Sequence, residues 1–286
     1  MDDLYSIRKK LTFAQAEGRE PLPTQLQLKE ITFQLKARLY DVIYSSLEKD
    51  FKYLTNMGFY ILKSSQWYKI LRARYVDRGG IVDQFSDNAD KNTAHIKFII
   101  FQGDYSEIFD FIQFILRHSD CPKDFSLFID KVLLDCKAAY RVFDNDTIIP
   151  IVSEEECKVL KNAFVDLKAK EFVGIREHLR DAGQYLTQGY YNKSIRESIS
   201  AVEAAARIIS KNDKAMLSDA LKELEKNKKI HPALKEGFIK LYAYTSDEKG
   251  IRHAKGVDDT SDEYDALFMI GACASFISYL INKIRI

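Results

Sequence analysis

Apolar side chains return every third or fourth position along most of this chain, and little interrupts them. Ile31, Leu35, Leu39, Val42, Ile43 and Leu47 form one such series, and Tyr191, Ile195, Ile199, Val202, Ala206 and Ile209 form another. That spacing follows the 3.6-residue turn of an α-helix, whereas a half-buried strand alternates at every second residue. Only five prolines and twelve glycines stand among 286 residues to break it. The pattern predicts an all-α fold, an amino-terminal helical domain followed by a helical bundle.

Further helices are expected over Gln66–Tyr75, Asn92–Phe101, Asp104–Leu116, Phe125–Phe143, Phe172–Thr187, Lys214–Lys226 and Asp262–Ile284, with Pro232 in the first turn of another. Strands have little support, although Gly80-Ile81-Val82 is compatible with the start of a short one. The chain exceeds the usual single-domain length, so two domains are expected, each large enough to bury a core. Asp144 to Val152 combines turn residues with a proline-limited extended run, which puts the boundary there. The units are then residues 1–150 and 151–286. Ser153 with Glu156 fits a capping box that opens the second.

Lysine plus arginine is 43 against 42 for aspartate plus glutamate, so no global field draws the chain to nucleic acid or membrane, and any anion site must be local. Cys121, Cys136, Cys157 and Cys273 are scattered and read as small buried residues in a reducing cytoplasm. The opening Met1-Asp2-Asp3 is acidic and implies no export. Ala266–Ile281 falls short of the ~20 apolar residues of a membrane span and is expected to be a central bundle helix. His95, His118, His178 and His231 lack metal-ligand spacing, and neither a metal nor a cofactor is expected. Arg78-Gly79-Gly80 lacks a P-loop lysine and reads as a turn. Trp67-Tyr68 with Arg72 and Arg74 reads as a basic, aromatic surface.

Two stretches near the carboxyl end offer acid/base chemistry. In Ser194–Glu203 and its continuation, Lys193, Arg196, Ser200, Glu203 and Arg207 make a polar stripe beside the apolar face. In Gly250-Ile251-Arg252-His253-Ala254 an imidazole adjoins a guanidinium just after a glycine, which suits the mouth of a cleft.

With His178-Leu179 and the Leu241–Asp247 run, these stretches resemble a HEPN domain of the kind found in AbiJ-type abortive-infection proteins. Tyr5–Lys9 and Arg38–Ile43 similarly resemble the AbiJ-like domain that precedes HEPN in one subgroup. The resemblance implies a helical bundle, a homodimer, and metal-independent cleavage of RNA in antiviral defence, with the amino-terminal domain sensing or regulating it. HEPN ribonucleases usually carry an arginine a few residues before the histidine. At those distances before His253 stand Ser246, Asp247 and Glu248, and Arg252 instead adjoins it.

Metal-free RNA cleavage needs a group to take the 2′-hydroxyl proton, one to protonate the leaving oxygen and a cation on the phosphorane. His253, with an ordinary pKa near ~6.5, suits proton exchange, and Arg252 offers a planar fork to phosphate oxygens. Neighbours in a regular helix diverge by about 100°, so both face one phosphate only from a turn or a helix start. A symmetric dimer with one shared cleft is another route. Glu203 would orient the imidazole, while Arg196 and Arg207 would hold the RNA backbone. Glu203 and Arg207 are equally an ordinary i,i+4 pair, and Arg252-His253 equally suits a noncatalytic module that binds nucleotide or RNA, or holds an assembly together.

Overall fold

The computed structural model describes residues 12–20, 24–55, 58–151, 154–211, 216–227, 230–246 and 261–285. Among the described residues the structure is 69% helical, with twelve α-helices against two sheets of two strands each, so the fold is all-α.

The amino-terminal half builds one core. After α1 (Phe13–Ala16), Thr32 caps α2 (Phe33–Leu47) by accepting the Leu35 amide at 3.2 Å, and the helix buries Leu35, Leu39, Ile43 and Leu47. The short hairpin β1 (Lys52–Leu54) and β2 (Phe59–Ile61) leads to α3 (Gln66–Asp77), capped by Ser65. Asn88 caps α4 (Ala89–Gln102), and Asp104 with Glu107 forms a capping box on α5 (Tyr105–Arg117). Each cap satisfies an amide that the first helical turn would leave unpaired. The helix α6 (Phe125–Asp135) completes this core, in which Trp67, Ile96, Phe111 and Ile129 are buried.

The helix expected over Phe125–Phe143 ends early. Its last residue is Asp135, and Tyr140–Phe143 is strand β3, paired antiparallel with β4 (Thr147–Pro150). Lys137, at a φ of 51°, turns the chain out of the helix. Asp144 and Asn145 then follow with φ of 49° and 68°, the two adjacent left-handed residues that a tight hairpin requires and that Asp and Asn tolerate. The Gly80-Ile81-Val82 option is also settled: Val82–Gln84 is a turn of 3₁₀ helix.

Alternation along this hairpin divides its side chains between two cores. Tyr140, Val142 and Ile148 point into the amino-terminal cluster, while Phe143 and Ile149 point into the carboxyl-terminal one, which Ile151 also joins. The second core gathers α7 (Glu154–Asp166), α8 (Val173–Thr187), α9 (Tyr191–Ser210), α10 (Leu217–Lys226), α11 (Pro232–Ser246) and α12 (Glu263–Arg285). The proposed Ser153 cap lies outside the described residues.

Helix α9 packs along α8 and α12, and α12 also packs on α7. The apolar part of α12 is longer than its sequence suggested: Glu263–Lys283 is long and apolar enough to cross a membrane. Burial of Ala266, Met269, Ile270, Ala274 and Ile277 in the bundle core accounts for that composition. Polar contacts tie the halves together. Arg180 pairs with Asp144 at the hairpin turn, Lys161 with Asp130 at 2.8 Å, and Lys29 with Glu263 at 3.3 Å.

Candidate functional site

On α9, Arg196, Glu203 and Arg207 are separated by seven and four residues. At about 100° per residue they fall within roughly 20° of one line, so they share a face some 16 Å long. Glu203 is the fixed point of that face. Its Oε1 accepts a short hydrogen bond from the Tyr242 hydroxyl on α11, and its Oε2 lies 3.7 Å from Arg207 Nη2. The carboxylate is mostly covered, whereas Arg207 keeps 45% of its side chain exposed. A carboxylate has about four lone-pair sites, so Glu203 can serve several donors at once.

The i,i+4 pairing of Glu203 with Arg207 is thus present, and Tyr242 adds an interhelical bond that spacing within α9 gave no sign of. Arg196 lies half-buried on the same helix. Arg252 and His253 lie outside the described residues. Two other serines of the stretch are structural: Ser194 and Ser198 are fully buried, and Ser198 Oγ donates back to the Ser194 carbonyl at 2.9 Å.

A second acid/base pair joins α8 to α9. His178 Nδ1 lies 2.7 Å from Glu197 Oε2, with both side chains partly exposed. Asp181, one turn along α8, is exposed, yet partial desolvation and the nearby Glu197 charge hold its carboxyl above the ordinary range. Glu197 is one residue on from Arg196, so this pair opens about 100° around α9 from the Glu203 face. The arrangement can hold and orient an imidazole proton. His118 and His231 are local in role, each accepting a nearby backbone amide on Nδ1, from Asp120 and Ala233 respectively. Among the described residues no cluster of three or more His, Cys, Asp or Glu is placed to hold a metal ion.

The Trp67 to Arg74 stretch is not one surface. Trp67 is buried, its Nε1 donating to Ser46 Oγ at 3.1 Å, while Arg74 lies over the Phe111 ring at 4.8 Å. Of the three described thiols Cys273 is buried as expected, while Cys121 and Cys136 are only half-buried; burial pushes Cys121 up to about 11 and Cys273 up to about 12, and raises Cys136.

Fold and site together define an all-helical protein with two cores that share one hairpin and a carboxylate-centred polar face on the second. Residues 11–166, more than half of the chain, match the family described as AbiJ N-terminal domain 4, and the chain belongs to that family. This membership relates it to abortive-infection defence. The match ends at Asp166, the last residue of α7, so α8 to α12 lie beyond it. No curated protein and no solved structure matches the chain.

Proposed function

We propose that this is an abortive-infection protein whose carboxyl-terminal helices form a HEPN-type, metal-independent endoribonuclease, acting as a cytoplasmic homodimer under control of the amino-terminal unit. The observation that carries the reading is Glu203, a mostly covered carboxylate anchored by Tyr242 at the carboxyl-terminal end of α11. Ser246, the last described residue of that helix, stands six residues before Arg252 in the chain. At ~3.5 Å per residue, six residues of chain reach at most about 20 Å. In this reading His253 exchanges the proton, Arg252 stabilises the phosphorane, Glu203 orients the imidazole, and Arg196 and Arg207 hold the RNA strand.

The test compares wild type with His253→Ala and Glu203→Gln during phage challenge, following growth and RNA integrity, and then RNA cleavage by purified protein in excess chelator. Loss of a general acid or base is expected to slow cleavage roughly 10²- to 10⁴-fold in His253→Ala. Wild type and His253→Ala that are indistinguishable in every assay would remove the nuclease claim. The direct adjacency of Arg252 and His253 favours a second reading, a noncatalytic RNA- or nucleotide-binding module. RNA binding that depends on Arg252 without any cleavage decides for it.

A further inference from the structure

The amino-terminal half contains a cleft of about 740 Å³ between α3, α4 and the start of α5. Ligand pockets commonly enclose ~300–1,000 Å³, so this one accommodates far more than a simple ion. Its walls combine aromatic rings with cations.

Tyr75 and Phe85 meet with centroids 5.6 Å apart on one side, and Phe98 stands 65% exposed at the rim. The Tyr75 ring occupies the space beside Gly80, where a Cβ would come within 2.3 Å of it. Position 80 therefore has to be small for this wall to form. The glycine pair does not supply an amide cradle. Gly79 N donates to the Val76 carbonyl and Gly80 N to the Tyr75 carbonyl, both at 2.9 Å, as the cap that ends α3. An anion here must be held by side chains.

Those side chains are present. Arg74 has only 11% of its side chain exposed and is clamped over Phe111 and Phe114, at 4.8 and 5.6 Å. Its Nη2 lies 3.2 Å from Asp110 Oδ2, and exposed Arg78 donates to that same oxygen. One carboxylate oxygen thus serves two guanidiniums and leaves their remaining donors for a ligand. Lys91 adds a third cation and Gln84 and Gln102 add neutral donors and acceptors, while the Glu107 carboxylate is occupied in capping the Asp104 amide at 3.0 Å. Three cations, of which Arg74 is clamped, against the carboxylates of Asp110 and Glu107 leave a net charge of +1. His95, which also lines the cleft, is held below the ordinary imidazole range by desolvation and by the Arg74 charge.

We propose that this cleft binds a nucleoside phosphate, with the base against Tyr75, Phe85 and Phe98 and the phosphate on Arg74 and Arg78. Planar π-faces stack bases with little regard to sequence, and paired guanidiniums recognise phosphate oxygens through their fork geometry. The ligand is a free nucleotide or the 5′-phosphorylated end of a nucleic acid, which present the same chemistry. This binding is independent of whether α8 to α12 cleave RNA.

Calorimetric titration of the purified full chain tests it, using ATP, AMP, adenosine, inorganic phosphate, and a tetranucleotide RNA with and without a 5′-phosphate. At least one phosphorylated nucleotide probe is expected to bind roughly tenfold or more tightly than adenosine or phosphate alone. Arg78→Ala and Phe98→Ala, both at exposed side chains, should each weaken it by about tenfold, while Lys226→Ala on α10 leaves it unchanged. Asp110→Asn removes the carboxylate that competes for both guanidiniums and should tighten binding, a gain that misfolding cannot mimic. Preference for ATP or AMP assigns the site to a free nucleotide, and preference for the 5′-phosphorylated RNA assigns it to a strand end. Absence of binding up to ~1 mM, about −4 kcal/mol, for every phosphorylated probe overturns the proposal. So does equal affinity for adenosine, or indifference to Arg78→Ala and Phe98→Ala.

Discussion

Gly183 is the point where α8 presses on the shared hairpin, and substituting it there should reverse the usual effect of replacing a helical glycine. In an open helix interior, Gly→Ala gains about 1 kcal/mol. Here the added Cβ would lie 2.6 Å from Ile149 Cγ1, 2.8 Å from Cδ1 and 3.2 Å from Cγ2. Ile149 is fully buried and β-branched, so no single rotation clears all three atoms. Overpacking of this kind costs roughly 1–3 kcal/mol, so Gly183→Ala should be destabilising by about 0–2 kcal/mol net. Ile149→Ala alone should cost about 2–5 kcal/mol through lost burial and the cavity left behind. With those side-chain atoms gone the clash disappears, and adding Gly183→Ala to Ile149→Ala should stabilise by about 1 kcal/mol. Urea denaturation of the four proteins, followed by far-ultraviolet circular dichroism, measures the coupling, expected at roughly 1–3 kcal/mol. Strict additivity, or equal destabilisation by Gly183→Ala in both backgrounds, would refute the close packing of α8 on β4.

Three further outcomes follow from the same geometry. Arg180→Ala removes the nearest cation from Asp144 and Asp146 at the hairpin turn but leaves Asp144 with Arg176 at 4.0 Å and Asp146 with the Thr147 hydroxyl at 2.8 Å, so it should cost only about 1 kcal/mol, read as a lower denaturation midpoint. The raised Asp181 carboxyl means that the native state binds this proton more tightly than the unfolded chain does. Its contribution therefore worsens as pH rises through the unfolded value near ~3.9 and on through the native one. Asp181→Asn should then raise stability at pH 7, by only a few tenths of a kcal/mol at this exposed position, with no gain at pH 3. Finally, with their thiols pushed up to about 11 and about 12, Cys121 and Cys273 should resist iodoacetamide at pH 7.5 and react only on unfolding, as site-resolved mass spectrometry would detect.

The helices were legible because amphipathic spacing and local caps act within a few residues. Pro232 opens α11 as its fixed φ suggests, and the α9 series buries Ile195, Ile199, Val202 and Ala206 as spaced. The strands were not. Tyr140–Phe143 continues an apolar, helix-compatible run, and only its pairing with Thr147–Pro150 across a left-handed turn makes it extended. The three-residue strands β1 and β2 are too short to show alternation. Within the site, the common line of Arg196, Glu203 and Arg207 could be read from spacing on one helix. Tyr242 against Glu203, and His178 against Glu197, depend on how separate helices meet. The basic cleft was hidden for the same reason, since Tyr75, Phe98 and Arg74 come together only when α3 packs beside α4 and α5.

Helix α5 links that cleft to the second core. Glu107 and Phe111 line the cleft, and Arg117, ten residues after Glu107 and hence about 15 Å along the axis, ends the helix at the joint. There its guanidinium donates to the Asp146 carbonyl at 3.2 Å, to Thr147 Oγ1 at 3.3 Å and to Gln184 Oε1 on α8 at 3.4 Å. Helix α8 in turn lies along α9, which carries Glu203. Contiguity of this kind supplies a route but not a coupling energy, which only a response at the far end can measure. If the cleft is the input, ATP or another nucleotide that binds it should change hydrogen exchange in α8 and α9 of the wild type. Arg117→Ala, which leaves every cleft-lining side chain in place, should retain the affinity and lose that distant response. A wild type whose α8 and α9 exchange identically with and without bound nucleotide would show that the two cores share a hairpin for stability alone.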